Sequence, residues 1–174
     1  MSEELELLPI DHPLLKKTTE EFNYEENDAY DTARILKKRM IDLGGVGLSA
    51  NQIGLDQRVF CIGVRNPATD EVFERVLFNP LLIGVNDETS LAEEGCLSVP
   101  GLRLHVKRPT ECTITYYNEK QEQVTEKFLG IAARVALHEY DHMLGKNFMH
   151  RVSSLKMQRA IKALDKKVKR YYQE

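Results

Sequence analysis

The ten residues Ala136-Leu137-His138-Glu139-Tyr140-Asp141-His142-Met143-Leu144-Gly145 constrain this chain more than any other stretch. Two histidines four positions apart, the first followed by a glutamate, act together if the segment is helical, because residues four apart on a helix lie on one face. Both imidazoles then converge on one cation with Glu139 beside them, the layout of a catalytic metal site. The helix is expected from Gly130 to Leu144, with Ile131, Val135, His138 and His142 on one side and Gly145 as its stop. Arg134 sits one turn before His138, where a free cation is awkward, so it should tilt to the rim or pair with an acid. Asp141 reads either as an acceptor behind a metal-bound imidazole or as a salt-bridge partner. A third ligand, and groups able to polarise a carbonyl, must come from elsewhere in the chain.

Upstream, Tyr30, Ala33, Ile35, Leu36, Met40, Ile41 and Leu43 recur at helical spacing, with Asn27 or Asp28 as cap and Gly44-Gly45 as terminator, so this apolar stripe should be core. The small-residue stretch Gly44 to Gly54 follows, and its glycines let backbone approach another segment or a ligand closely. It carries no GKS or GKT and opens no helix with GxGxxG, which argues against nucleotide binding. Within it Gln52 offers an amide donor and an acceptor, fit either for structure or for binding a carbonyl oxygen. From Val59 the pattern becomes β: Val59–Val64, Phe73–Phe78, Leu81–Val85, Cys112–Tyr117 and Gln123–Leu129, with Asn66-Pro67 and Tyr117-Asn118-Glu119-Lys120 as hairpin turns. Long crossover helices are missing, so the sheet is antiparallel or mixed. Inside this region Gly95 permits an unusual backbone angle beside Cys96, and Pro100-Gly101 reads as a turn. Cys96 is open to three readings: an inert buried thiol, a nucleophile or a metal thiolate. Cys61 and Cys112 look like small core residues.

A length of 174 residues suits one domain, and a net charge of -3 excludes a nucleic-acid binder in which the whole molecule is basic. Charge is nonetheless segregated: Glu3, Glu4 and Glu6 open the chain, and Lys and Arg dominate its end. Leu5 to Ile10 is apolar, Asp11-His12-Pro13 reads as a turn, and His12 is a turn residue. Three cysteines do not make a disulfide scaffold, and the start lacks the basic character of a signal peptide, so a cytoplasmic setting without membrane insertion is expected. From Ser153-Ser154 a capped amphipathic helix places Met157, Ile161, Leu164, Val168 and Tyr171 on one stripe and Lys156, Arg159, Lys162, Lys166, Lys167, Lys169 and Arg170 around the rest. It is either a solvated helix docked on the body or a face for RNA.

Taken jointly, two imidazoles and a thiolate leave a fourth tetrahedral position for water, whose pKa a cation lowers to roughly 7. Glu139 would move that proton, and Gln52 with the backbone N–H of Leu97 would hold the oxyanion. These parts describe metal-assisted hydrolysis of an amide. A downstream-ligand metallopeptidase has His150 alone to draw on. A copper electron carrier suits a helical HExxH poorly, and a zinc-stabilised adaptor predicts a closed fourth ligand with no need for Glu139.

The stretches Gly45-Val46-Gly47-Leu48-Ser49-Ala50-Asn51-Gln52, Glu94-Gly95-Cys96-Leu97-Ser98 and His138-Glu139-Tyr140-Asp141-His142 resemble, in order and spacing, the three motifs of peptide deformylases. The resemblance spans nearly the whole chain. It implies an α+β fold over residues 1–174, with antiparallel or mixed sheets around a central metal-binding helix and further helices at both ends. It implies removal of the formyl group from N-terminal formylmethionine, with Cys96, His138 and His142 as metal ligands, Glu139 as acid and base, and Gln52 and Leu97 as oxyanion donors. The ion implied is ferrous, replaceable by nickel, cobalt or zinc. By matching position, Gly45, Val46, Gly47, Glu94, Gly95, Ile131 and Val135 line the substrate recess and Arg103 reaches the substrate backbone. The terminal helix resembles the bacterial type thought to dock on the ribosome, and a monomer is the expected state. Three positions depart from the pattern: Ser49 where Ala is common, Arg134 where an apolar residue often lines the pocket, and Leu137 where Gln usually precedes the first ligand.

Overall fold

The computed structural model describes residues 5–66 and 68–171. Its elements are α1 (Ala29–Asp42), β1 (Gly47–Ser49), β2 (Val59–Arg65), β3 (Val72–Val85), β4 (Thr89–Cys96), β5 (Val99–Pro109), β6 (Glu111–Tyr117), β7 (Gln123–Leu129), α2 (Gly130–Met143) and α3 (Ser154–Tyr171). Short 3-10 turns occupy Pro13–Lys16, Ala50–Ile53 and Phe148–Arg151. Five strands form one sheet in the order β1-β2-β3-β6-β7, and β4 with β5 forms a separate hairpin. Every strand pairing is antiparallel, which removes the mixed alternative. Glu3, Glu4, Pro67 of the expected turn, and the side chains of Lys167, Val168, Lys169, Arg170 and Tyr171 lie outside the described residues.

β2 is apolar on both faces because it is covered on both. Phe60, Ile62 and Val64 join Ala133, Ala136, Leu137 and Met143 of α2 in one core, and Val59 and Cys61 join Ala33, Leu36 and Met40 of α1 in another. Each such fully buried large side chain contributes roughly 1.5–3 kcal/mol. A third cluster joins Leu102, Leu104 and Val106 of β5 to Phe148, with Ala160 and Leu164 of α3 packed against it. α2 thus rests on the sheet with one face and meets the β4–β5 hairpin with another, where Arg134, His138 and Asp141 bond to Ser90, Glu94 and Arg108.

Several expectations change in detail. Asp28 caps α1, its Oδ1 accepting from the Asp31 N–H at 3.1 Å, yet Tyr30 and Ile41 are 61% and 65% exposed, and Ala29 and Thr32 complete the buried face instead. The runs Phe73–Phe78 and Leu81–Val85 are one strand. Asn79-Pro80 reads as a break, but Asn79 takes a left-handed φ of 47° while its side chain bonds both backbone groups of Phe22, at 2.7 and 3.0 Å. Pro100-Gly101 lies inside β5; Cys96 pairs with Val99, so the tight turn is Leu97-Ser98. On α3, Ala160 and Leu164 face the hairpin and Ile161 is exposed. His12 caps the first 3-10 turn, its Nδ1 accepting from the Leu14 N–H at 3.2 Å.

Candidate metal centre

α2 carries His138 and His142 on the face turned to the hairpin, and Cys96 ends β4 opposite them. All three are buried, and one donor atom from each lies within 4.8 Å of the others. Cys96 Sγ stands 3.4 Å from His142 Nε2. Two ligands on a tetrahedral ion, at about 2.3 Å for sulfur and about 2.0–2.1 Å for nitrogen, are about 3.6 Å apart, so the spacing fits a shared metal. His138 Nδ1 is 3.0 Å from Glu94 Oε2, which leaves Nε2 as the ring nitrogen available to a metal.

The buried groups around the three donors shift one another's protonation. Burial disfavours charge on His138, but the Cys96 sulfur and Glu94 outweigh it and raise its pKa to about 10. Burial drives His142 the other way, well below the usual range and into the neutral form that ligates, with His138 and Arg108 acting in the same direction. Burial opposes ionisation of Glu94, yet hydrogen bonds from His138 and Arg108 hold its carboxyl at about 2. Burial raises Glu139 to about 7 against the pull of His138 and Arg108. Its Oε2 is buried without a protein partner among the described residues, as is His142 Nδ1.

A buried ionic network surrounds this centre. Arg108 meets Glu94 with two parallel bonds, Nε to Oε1 at 2.7 Å and Nη2 to Oε2 at 3.0 Å, and reaches Asp141 Oδ2 at 2.9 Å. Arg134 donates to Glu94 Oε1 at 2.6 Å, to the Val106 carbonyl at 3.0 Å and to Ser90. It therefore pairs with an acid, one of its two expected fates. Asp141, left open by the sequence, also accepts from Arg151 and is a salt-bridge partner rather than an acceptor behind a metal-bound imidazole. Arg108 was not visible as a site residue, although it extends the buried alternation Leu102, Leu104, Val106 with a charge. That single out-of-pattern charge was the available signal.

A recess of about 540 Å³ opens beside the centre, lined among others by Gly45, Val46, Gly47, Gln52, Glu94, Gly95, Cys96, Leu97, Arg103, Ile131, Arg134, Val135, His138 and Glu139. Of the residues the resemblance assigns to metal, catalysis or substrate, all but the buried His142 line this recess. Gly47 is required by space: a Cβ there would stand 2.5 Å from Glu139 Oε1 and 2.7 Å from Val135. At Gly95 a Cβ would meet the Arg103 guanidinium at 3.0 Å, so Arg103 lies across this strand end. Gln52, on the 3-10 turn after β1, points Nε2 to Cys96 Sγ at 3.4 Å and to Ser98 Oγ at 3.2 Å. Ser98, quoted within the second motif, was given no role of its own because only the Leu97-Ser98 turn brings it to Gln52.

A helical HExxH completed by a cysteine from a β-hairpin, with an amide donor at the recess, defines a metal-dependent amide hydrolase. Residues 4–158 match the polypeptide deformylase family model, and the chain belongs to that family. It is 37% identical over 142 residues to the peptide deformylase of Pseudothermotoga lettingae, covering 82% of this chain and 79% of the relative. The Phenylobacterium zucineum peptide deformylase is 34% identical over 164 residues, covering 94% and 96% respectively. Among solved structures, a class I type b peptide deformylase from Acinetobacter baumannii bound to Met-Ala-Ser matches with a TM-score of 0.79 and 31% identity, over 87% of this chain and all of that one. The protein is a hydrolase that removes the formyl group from the N-terminus of nascent polypeptides.

Proposed function

We propose that Cys96, His138 and His142 hold one divalent ion, that Glu139 is the acid and base, and that Gln52 and the Leu97 N–H donate to the formyl oxygen. The convergence of one thiolate and two imidazoles with Glu139 buried beside them carries this reading. Such an ion, proposed to be ferrous and replaceable by zinc, nickel or cobalt, would supply Lewis acidity and would lower the pKa of water.

The chain's own residues do the rest. The recess takes the methionine side chain of an N-formylmethionyl peptide between Val46, Ile131 and Val135, with Gly45 and Gly47 allowing close approach, Glu94 and Gly95 forming the adjoining wall and Arg103 at the substrate backbone. Water adds to the formyl carbon as Glu139 takes its proton; a pKa of about 7 suits both acceptance and return. Gln52 and Leu97 stabilise the oxyanion by about 3 kcal/mol per well-aimed donor. When the C–N bond breaks, Glu139 delivers the proton to the departing amine, and formate and a free N-terminus result. Residues 1–174 act as one catalytic unit, as a monomer in the cytoplasm. Among the described residues no helix is long and apolar enough to cross a membrane.

Anaerobic purification, metal analysis and formate release from a formyl-Met peptide test this. Wild type should hold one ion per chain and release formate. Glu139→Ala should keep the ion and lose at least about 100-fold in rate. Metal-loaded wild type that releases no formate would sink the assignment, and equal rates would remove Glu139 from the chemistry.

A further inference from the structure

We infer that Ser49 is a positioning residue that fixes which end of the Gln52 amide faces the reaction centre; this rests on the donor role proposed for Gln52. An amide side chain has two ends of nearly equal shape and opposite hydrogen-bonding character. Turned the wrong way, Gln52 would present lone pairs to a developing oxyanion and oppose the reaction. Ser49, fully buried, prevents this from two sides: its backbone N–H and its hydroxyl Oγ each stand 3.0 Å from Gln52 Oε1. A backbone N–H can only donate, so the atom it meets is the oxygen, and Nε2 is left directed at Cys96 and Ser98.

The hydroxyl does more than repeat the backbone bond. Its oxygen is also 2.8 Å from Asn51 Oδ1, and Asn51 Nδ2 donates to the His142 carbonyl at 2.9 Å. One hydroxyl proton is shared between two amide oxygens, tying the oxyanion donor to the end of the helix that bears both histidines. The share of that proton directed at Oε1 also polarises the amide and strengthens Nε2–H as a donor.

Ser49→Ala keeps the backbone N–H, shrinks the side chain and removes only the hydroxyl, so it isolates this contribution. With metal-loaded protein and a formyl-Met peptide, kcat should fall about three- to tenfold, the effect of one neutral hydrogen bond, with KM within about twofold. The loss should vanish in a Gln52→Ala background. The Gln52 side-chain amide resonances, identified by their absence in Gln52→Ala, should move in the 1H–15N spectrum of Ser49→Ala. Unchanged kcat with unmoved resonances, or an equal loss in both backgrounds, overturns the role of Ser49 while leaving Gln52 untouched. Full activity of Gln52→Ala overturns the donor role of Gln52, and Ser49 with it.

Discussion

Glu94 accepts from four donors, the Nε and Nη2 of Arg108, Nη1 of Arg134 and Nδ1 of His138, and among the described residues its bond to the proposed ligand set is through that last imidazole. Such a partner sets ring orientation and ligand basicity, and its loss commonly weakens metal binding 10- to 100-fold. Glu94→Gln should therefore weaken metal affinity by about that factor in chelator competition, and leaving two guanidinium groups short of a carboxylate should cost about 3–5 kcal/mol of stability by urea unfolding. Unaltered affinity would show that Glu94 serves the recess wall alone. His138, Glu139 and His142 could be singled out by type and local spacing, whereas Cys96 and Gln52 were each open to a bland reading and gained a proposed role only when the motifs were taken together. The donors to Glu94 could not, because Arg108 and Arg134 reach it from β5 and α2, and only tertiary pairing brings those elements together.

At the scale of elements, the β4–β5 hairpin was the least legible part of the chain. β4 runs Thr-Ser-Leu-Ala-Glu-Glu-Gly-Cys, too polar to announce a strand, and its outward residues are exposed. The helices were clear because their caps and stops agreed with the apolar spacing in period, as with Asp28 and Gly145, even though some stripe residues such as Tyr30 and Ile41 are exposed. α3 braces the hairpin: Leu164 stands 3.1 Å from a Cβ built on Gly101, at the rim where Val99, Pro100 and Gly101 line the recess. Its outer face presents Lys156, Arg159, Lys162 and Lys166. Deleting residues from Ser153 onward should raise KM about threefold or more with a smaller change in kcat, a loss of ground-state binding. The same deletion should abolish pelleting with ribosomes, which in the full chain should fall steeply with salt. Pelleting that survives the deletion would exclude α3 as the anchor.

For the molecule as a whole, a metal held as proposed would join β4 to α2 through Cys96 and His142, which are 46 residues apart in sequence. An ion that binds only the folded chain at about 100 times its dissociation constant adds about 2.7 kcal/mol. For a chain of this size that corresponds to roughly 5–10 °C in Tm. Chelation should lower Tm by about that amount and stop formate release, and ferrous ion should restore both. A Tm indifferent to chelator would place the ion outside the folded framework.

The far end of the catalytic helix is closed by the start of the chain. The Thr19 N–H donates to the Met143 carbonyl at 3.0 Å, Thr18 bridges Leu144, and Gly145 turns at φ 66° where a Cβ would come within 2.7 Å of the Lys16 backbone. Thr18 and Thr19 are synthesised early, yet these backbone partners lie beyond the whole sheet. Their ordering waits on a loop closure spanning 124 residues, which gives these contacts a high contact order and makes them slow to form. The seam that locks the end of α2 thus ties it to a segment 124 residues away, and loosening Thr18–Thr19 should speed amide exchange at that helix end, which an unchanged exchange rate would contradict.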